Sequence, residues 1–341
     1  MNGVYEVARV AVLSAGSWGT TMAKVFVDAG SDVTIHARRL EVVDEINTRH
    51  QNTGYLPDVV LPDHLRATAD PVEALAGARH VVLSIPSQTL RENLAAWAPH
   101  IAPDTIVCSL MKGIEAHSGL RMSQVIHRVT GVPYERIAVL SGPNLAGEIA
   151  DARPAAAVIA CPDETAAAEL QHACHTPYFR PYTGRDVVGC ELGGAIKNVI
   201  ALGIGLAAGL GLGDNARALL ITRGLAETAR LGQAMGADPL TFSGLAGAGD
   251  LIATCSSPRS RNRTFGEHLG QGMTVAEATA ATNQTAEGVR SCQAILDLSR
   301  AHGVEMPITQ VVAAVIDGTA TVADAASALM SRAPKPEHYT A

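Results

Sequence analysis

The first half of the chain alternates two hydrophobic patterns. Short, nearly continuous apolar runs rich in β-branched residues occur at 7–13 (VARVAVL), 32–36 (DVTIH), 81–85 (VVLSI), 105–110 (TIVCSL) and 137–140 (IAVL), with a further one at 155–160 (AAAVIA). Between them, segments 18–29, 40–47, 89–96 and 118–129 suit helices. The apolar runs read as strands buried on both faces, and their alternation with helices predicts a parallel sheet covered on both sides. Beyond about Gly189 the β-branched runs stop. Ala- and Leu-rich stretches at 191–210, 216–235, 274–280 and 291–302, punctuated by Gly- and Pro-containing turns, predict helices alone. The expected architecture is an α/β domain over 1–188 followed by an all-α domain over 189–341.

A length of 341 residues fits two domains, and 47% apolar with 17% charged residues excludes a disordered or collagen-like chain. The net charge of −7, without a long basic run, argues against nucleic acid as a partner. The six Cys show neither CxxC nor metal-like spacing with His, and no secretory signal stands in front. Reduced thiols, no metal and a cytoplasmic location are therefore expected. The longest uncharged run, 198–213, falls short of the roughly 20 residues of a membrane span, so no membrane insertion is expected. One bias changes the picture. Only four of 26 basic residues are Lys: Lys24, Lys112, Lys197 and Lys335. A retained Lys marks a place to ask whether Arg would fail.

The first strand runs into Ser14-Ala15-Gly16-Ser17-Trp18-Gly19 and then a helix. This is the order of a Rossmann dinucleotide fingerprint, in which a tight turn lets backbone amides at a helix N-terminus meet a pyrophosphate. Ser14 stands where the first Gly is expected; Gly16 and Gly19 are in place. A tight βα turn without a ligand is the alternative. The second strand ends at Arg38 and Arg39, where NAD-selective sites often carry Asp or Glu. Two guanidinium groups favour a 2′-phosphate, hence NADP(H) over NAD(H), against the alternative of a solvated charge pair.

Chemistry concentrates further along. Lys112 follows a strand and is expected in the cleft, or else is an ordinary loop lysine. Segment 141–148 (SGPNLAGE) opens a short helix whose free amides suit an anion or simply start a helix. Lys197 and Asn198 lie in an apolar helical segment beside Gly193 and Gly194, whose helix cost implies close approach by another element. Desolvation there would bring Lys197 toward acid/base use, unless its amine snorkels to water. Asp250 follows a glycine turn, presenting a carboxylate or capping a helix. Segment 257–263 (SPRSRNR) has the Arg, Ser and Asn of a phosphate loop, or is a solvated basic turn.

Together these segments resemble the bacterial NAD(P)-dependent glycerol-3-phosphate dehydrogenase family. The resemblance rests on SAGSWGT at 14–20, MKGIE at 111–115, SGPNLAGEIA at 141–150, ELGGAIKNVIALG at 191–203, GLAGAGDL at 244–251 and SRNRTFG at 260–266, and covers nearly the whole chain. It implies a Rossmann domain plus a helical domain of the 6-phosphogluconate-dehydrogenase type, with the site in the cleft between them. The implied reaction is interconversion of dihydroxyacetone phosphate and sn-glycerol 3-phosphate, feeding glycerophospholipid synthesis, by a homodimer. It further implies Lys197 as proton donor or acceptor, and substrate contacts at Lys112, Gly142, Asn144, Asp250, Ser260, Arg261 and Asn262. Cofactor contacts are implied at Ser17, Trp18, Arg38, Arg39, Lys112, Ala146, Arg261, Thr285 and Glu287. Ser14 departs from the family pattern, as does Thr285-Ala286, where an apolar pair is usual before Glu287-Gly288. Two rival readings are a related two-domain hydroxy acid or keto acid dehydrogenase and a non-catalytic nucleotide sensor.

Overall fold

The computed structural model describes residues 7–282, 286–334 and 336–337. Eight strands, β1 (Arg9–Leu13), β2 (Asp32–His36), β3 (Arg66–Thr68), β4 (His80–Leu83), β5 (Ile106–Ser109), β6 (Ile137–Ser141), β7 (Ala155–Ala160) and β8 (Phe179–Gly184), form one sheet in the order 3-2-1-4-5-6-7-8. The first six run parallel in the Rossmann order, and the switch between β1 and β4 opens a crevice outside the strands' carboxyl ends.

The expectation of an all-parallel sheet needs correction. β7 pairs antiparallel with β6, Ser141 lying opposite Val158, and β8 then runs parallel to β7. Strand direction is set by the length and path of the connection, and apolar composition is blind to it. β3 and β8 have no counterpart in the sequence reading. β3 is three residues long, and β8 alternates buried and exposed positions around Pro181, as an edge strand can.

Helices α1 (Ser17–Asp28), α2 (Leu40–Arg49), α3 (Pro71–Leu75), α4 (Leu90–Trp97), α5 (Met122–Thr130), α6 (Ala146–Ala150) and α7 (Glu164–Cys174) accompany the sheet. The helical region comprises α8 (Val187–Gly209), α9 (Asp214–Ala234), α10 (Pro239–Ser243), α11 (Asp250–Ser256), α12 (Arg261–Gly270), α13 (Val275–Thr282), α14 (Glu287–Ala301), α15 (Pro307–Ile316) and α16 (Val322–Met330). α8 is its axis. By length and composition α8 could cross a membrane, but 89% of its apolar window is buried inside the protein, as in a core helix. α12 lies directly on it. A Cβ on Gly205 would come within 2.1 Å of the Arg263 carbonyl oxygen, and one on Gly266 within 2.2 Å of that of Leu202. The glycines that weaken α8 as an isolated helix are what let it be packed this closely.

Candidate active site

The glycine turn shows why each of its residues is tolerated. Gly16 caps α1, which begins at Ser17, so the first amides of the helix face the crevice. A Cβ on Gly19 would lie 2.0 Å from the Ser14 carbonyl oxygen; only glycine allows this helix so close to the strand end. Gly16 is different. Its φ of −76° suits any residue, and among the described residues other than its chain neighbours the only atom within 4 Å of a Cβ there is Ser14 Oγ, at 3.8 Å. Nothing among the described residues requires glycine at 16, whereas a pyrophosphate approaching the backbone would. Ser14 takes φ +112°, the conformation that a first fingerprint glycine adopts freely, and a non-glycine residue there costs about 1–3 kcal/mol.

The surrounding residues brace this turn. The Asn52 amide donates to the Ala15 carbonyl at 2.9 Å and to Thr20 Oγ1 at 2.8 Å. Ser17 Oγ donates to the Tyr55 carbonyl at 3.1 Å, and Thr21 Oγ1 to that of Ala146 at 3.2 Å. The Trp18 indole N–H is buried without a partner among the described residues. Arg38 and Arg39 are exposed just past β2. These residues fit a dinucleotide: free amides suited to a pyrophosphate, a cleared approach at Gly16, and two exposed guanidinium groups just past β2.

Across the crevice, two lysines from different regions converge on one carboxylate. Lys197 on α8 is 8% exposed, and its Nζ donates to Asp250 Oδ1 at 2.5 Å and to Thr254 Oγ1 at 2.7 Å. Lys112, just beyond β5, donates to Asp250 Oδ2 at 2.6 Å and to the Gly142 carbonyl at 3.1 Å. Asp250 is 1% exposed. Burial pushes the Lys112 pKa down to about 8, against the opposing pull of Asp250. Lys197 is buried among apolar helix neighbours, and α11 adds a counter-charge that the local segment does not contain. The expected close approach at Gly194 is present, since a Cβ there would meet the Lys112 stem at 3.2 Å and Ser141 Oγ at 3.3 Å.

The third group lies where α12 and α14 begin. Ser260 caps α12, accepting from the Arg263 amide at 3.3 Å. Asn262 donates to Asn198 Oδ1 and accepts from the Gly288 amide, both at 3.0 Å, while Asn198 donates to the Lys112 carbonyl at 3.2 Å. Much of Asn262's hydrogen-bonding capacity thus ties the lysine loop, α8 and α14 together. Arg261 is exposed and opposes Glu287, whose carboxyl is pushed up by burial and pulled back by that guanidinium. The Ser87 backbone lowers it as well, and more weakly than Arg261. Asn144 has both amide atoms buried without a partner among the described residues, which fits a ligand-facing side chain. Thr285 and Lys335 lie outside the described residues.

Comparison with known proteins now decides the family. The N-terminal model of NAD-dependent glycerol-3-phosphate dehydrogenase matches residues 9–167 and the C-terminal model residues 186–327. The chain belongs to this family. It is 62% identical over 329 residues to the glycerol-3-phosphate dehydrogenase [NAD(P)+] of Streptomyces griseus, covering 96% of this chain and 98% of the relative. The Thermobifida fusca protein of the same name is 60% identical over 332 residues, covering 97% and 99%. Among solved structures, glycerol-3-phosphate dehydrogenase from Coxiella burnetii superimposes with a TM-score of 0.90 at 35% identity, covering 96% of this chain and 99% of that one.

Two neighbours of the lysine pair, Thr254 and Ser141, are not among the individual site residues expected from the sequence. Thr254 lies four residues after Asp250 on α11, so the i, i+4 rule places both on one face; that spacing was the available signal. Ser141 Oγ, buried without a partner among the described residues, heads the 141–150 motif, in which the expected contacts fall on Gly142 and Asn144 instead. A cavity of about 660 Å³ lies elsewhere, bounded by Val158, Val187, Leu240 and Leu245, and none of Lys112, Lys197 or Asp250 lines it. Among the described residues, no group of three or more His, Cys, Asp or Glu gathers as a metal site.

Proposed function

We propose that the protein interconverts dihydroxyacetone phosphate and sn-glycerol 3-phosphate, preferring NADP(H) to NAD(H), at the entry to glycerophospholipid synthesis. The observation that carries this reading is the convergence of Lys112 and Lys197 on Asp250, Lys112 following β5 at the same carboxyl edge of the sheet as the glycine turn after β1. Bound NAD(P)H would supply a hydride to the ketone carbon. Lys197 faces the oxygen on which negative charge then develops, stabilises that charge and delivers its proton. Asp250 and Thr254 hold the ammonium in place. Arg could supply charge but not a proton, because its pKa exceeds about 12. Lys112, Gly142 and Asn144 take the reacting end of the substrate, and Ser260, Arg261 and Asn262 its phosphate. Arg38 and Arg39, standing where an NAD-selective site often carries Asp or Glu, support the NADPH preference.

The test is loss of nicotinamide absorbance with dihydroxyacetone phosphate, comparing NADPH with NADH. Turnover with a lower Michaelis constant for NADPH is expected. Turnover only of unphosphorylated keto acids, or binding without turnover, would overturn the assignment; an equal or lower constant for NADH would overturn the preference. A cytoplasmic homodimer completes the proposal. The six Cys are free and buried, which supports a reducing compartment, and exposed Leu210, Leu212 and Leu219 offer an apolar face. A solution mass near 35.4 kDa would exclude the dimer.

A further inference from the structure

Ser14 combines three features that a drifted glycine would not predict together. Its backbone holds φ +112°, where a side chain is disfavoured. Its hydroxyl engages no hydrogen-bond partner among the described residues, so no hydrogen bond of the side chain offsets that conformation. Its Oγ is also the atom that lies 3.8 Å from the place a Cβ on Gly16 would take. That place is the one Gly16 leaves clear, since neither its own φ of −76° nor any protein neighbour forbids a side chain.

We infer that the Ser14 hydroxyl is an additional pyrophosphate ligand, its O–H donating to a phosphate oxygen in front of Gly16. The inference rests on the reading of residues 14–19 as the pyrophosphate turn. Strain at a ligand-binding turn persists where the strained residue does something its relaxed substitute would not. A hydroxyl at this position adds a donor to the amides of α1, and a hydrogen bond to a charged oxygen is stronger than one between neutral groups. The chain thereby exchanges backbone ease for a side-chain contact that glycine cannot make.

Strain and contact give opposite signs in one variant, which makes the inference testable. Ser14→Gly relieves the backbone and removes the hydroxyl; Ser14→Ala removes the hydroxyl alone. Purified full-length proteins would be melted without ligand and titrated calorimetrically with NADPH, NADH and 2′-AMP, the last carrying no pyrophosphate. The expected result is a higher melting temperature for Ser14→Gly together with roughly tenfold weaker binding of NADPH and NADH. Ser14→Ala should bind both equally weakly without the thermal gain, and 2′-AMP should bind all three proteins alike. NADPH binding by Ser14→Gly as tight as in the parent would overturn the inference. Gly16→Ala separates the role of the turn from that of Ser14, because among the described residues only Ser14 Oγ comes within 4 Å of the added Cβ, at an ordinary 3.8 Å. If Gly16→Ala binds NADPH normally, the turn is not the pyrophosphate seat and both readings fall. If it binds poorly while Ser14→Gly binds normally, only the role of Ser14 falls.

Discussion

Glu191 on α8 is ion-paired with Arg121 at the start of α5, tying the helical region to the sheet region. The carboxylate is 3% exposed and also accepts from the Ser123 amide and hydroxyl, each at 2.7 Å. Lys197 lies six residues further along the same helix, so this pair helps to hold α8 where its ammonium meets Asp250. Breaking one side of a buried pair leaves an uncompensated charge. Glu191→Gln is expected to lower unfolding free energy by about 3–5 kcal/mol, with Glu191→Gln/Arg121→Met less damaged than the single variant. Denaturant unfolding of both proteins checks this, and equal midpoints for Glu191→Gln and the parent would contradict it.

Lys197→Arg keeps a cation beside Asp250 but removes the transferable proton. Turnover is expected to fall by about 10²–10⁴-fold. NADPH affinity should stay close to that of the parent, because the glycine turn is untouched. Steady-state rates and equilibrium titration separate these two effects, and near-normal turnover would remove Lys197 from the acid/base role.

Lys112 gives the pH dependence of substrate binding a definite direction. Its pKa is lowered from 10.5 to about 8 by burial, so the folded protein loses this cation above pH 8. The Michaelis constant for dihydroxyacetone phosphate should rise about tenfold between pH 8 and 9.5, as the protonated fraction falls. Between pH 8 and 10.5 the unfolded chain keeps a proton that the folded one has released, so this group makes stability rise with pH. A Michaelis constant that stays flat to pH 9.5 would refute the assignment.

Two buried groups away from the site should mask each other. Glu227 accepts from the Ile308 amide at 2.8 Å and the Thr309 amide at 3.4 Å, at the start of α15. Burial raises its pKa from 4.5 to about 7, so its stabilising contribution is present below pH 4.5 and lost as pH rises through 7. His80 is 2% exposed; burial lowers its pKa from 6.5 to about 4, so its contribution is present above pH 6.5 and lost as pH falls through 4. Between pH 4.5 and 6.5 the two slopes oppose. Urea midpoints should rise with pH across this window in Glu227→Gln, fall in His80→Leu and change less in the parent. Parallel profiles for all three would show that neither group titrates as described.

The amino-acid sequence by itself determined that an α/β half precedes a helical half. Apolar periodicity records which faces are buried, and burial is what secondary structure answers to. It also singled out Lys112 and Lys197, because a chain that otherwise favours Arg kept an amine there. Only the tertiary structure decided that β7 reverses, since the same apolar run packs in either direction. Only it joined Lys197 to Asp250, 53 residues away, and gave the strained backbone at Ser14 a place beside Gly16. A local pattern specifies which groups leave water. Which charge meets which, and which strain is tolerated, follows from the paths by which distant segments are brought together.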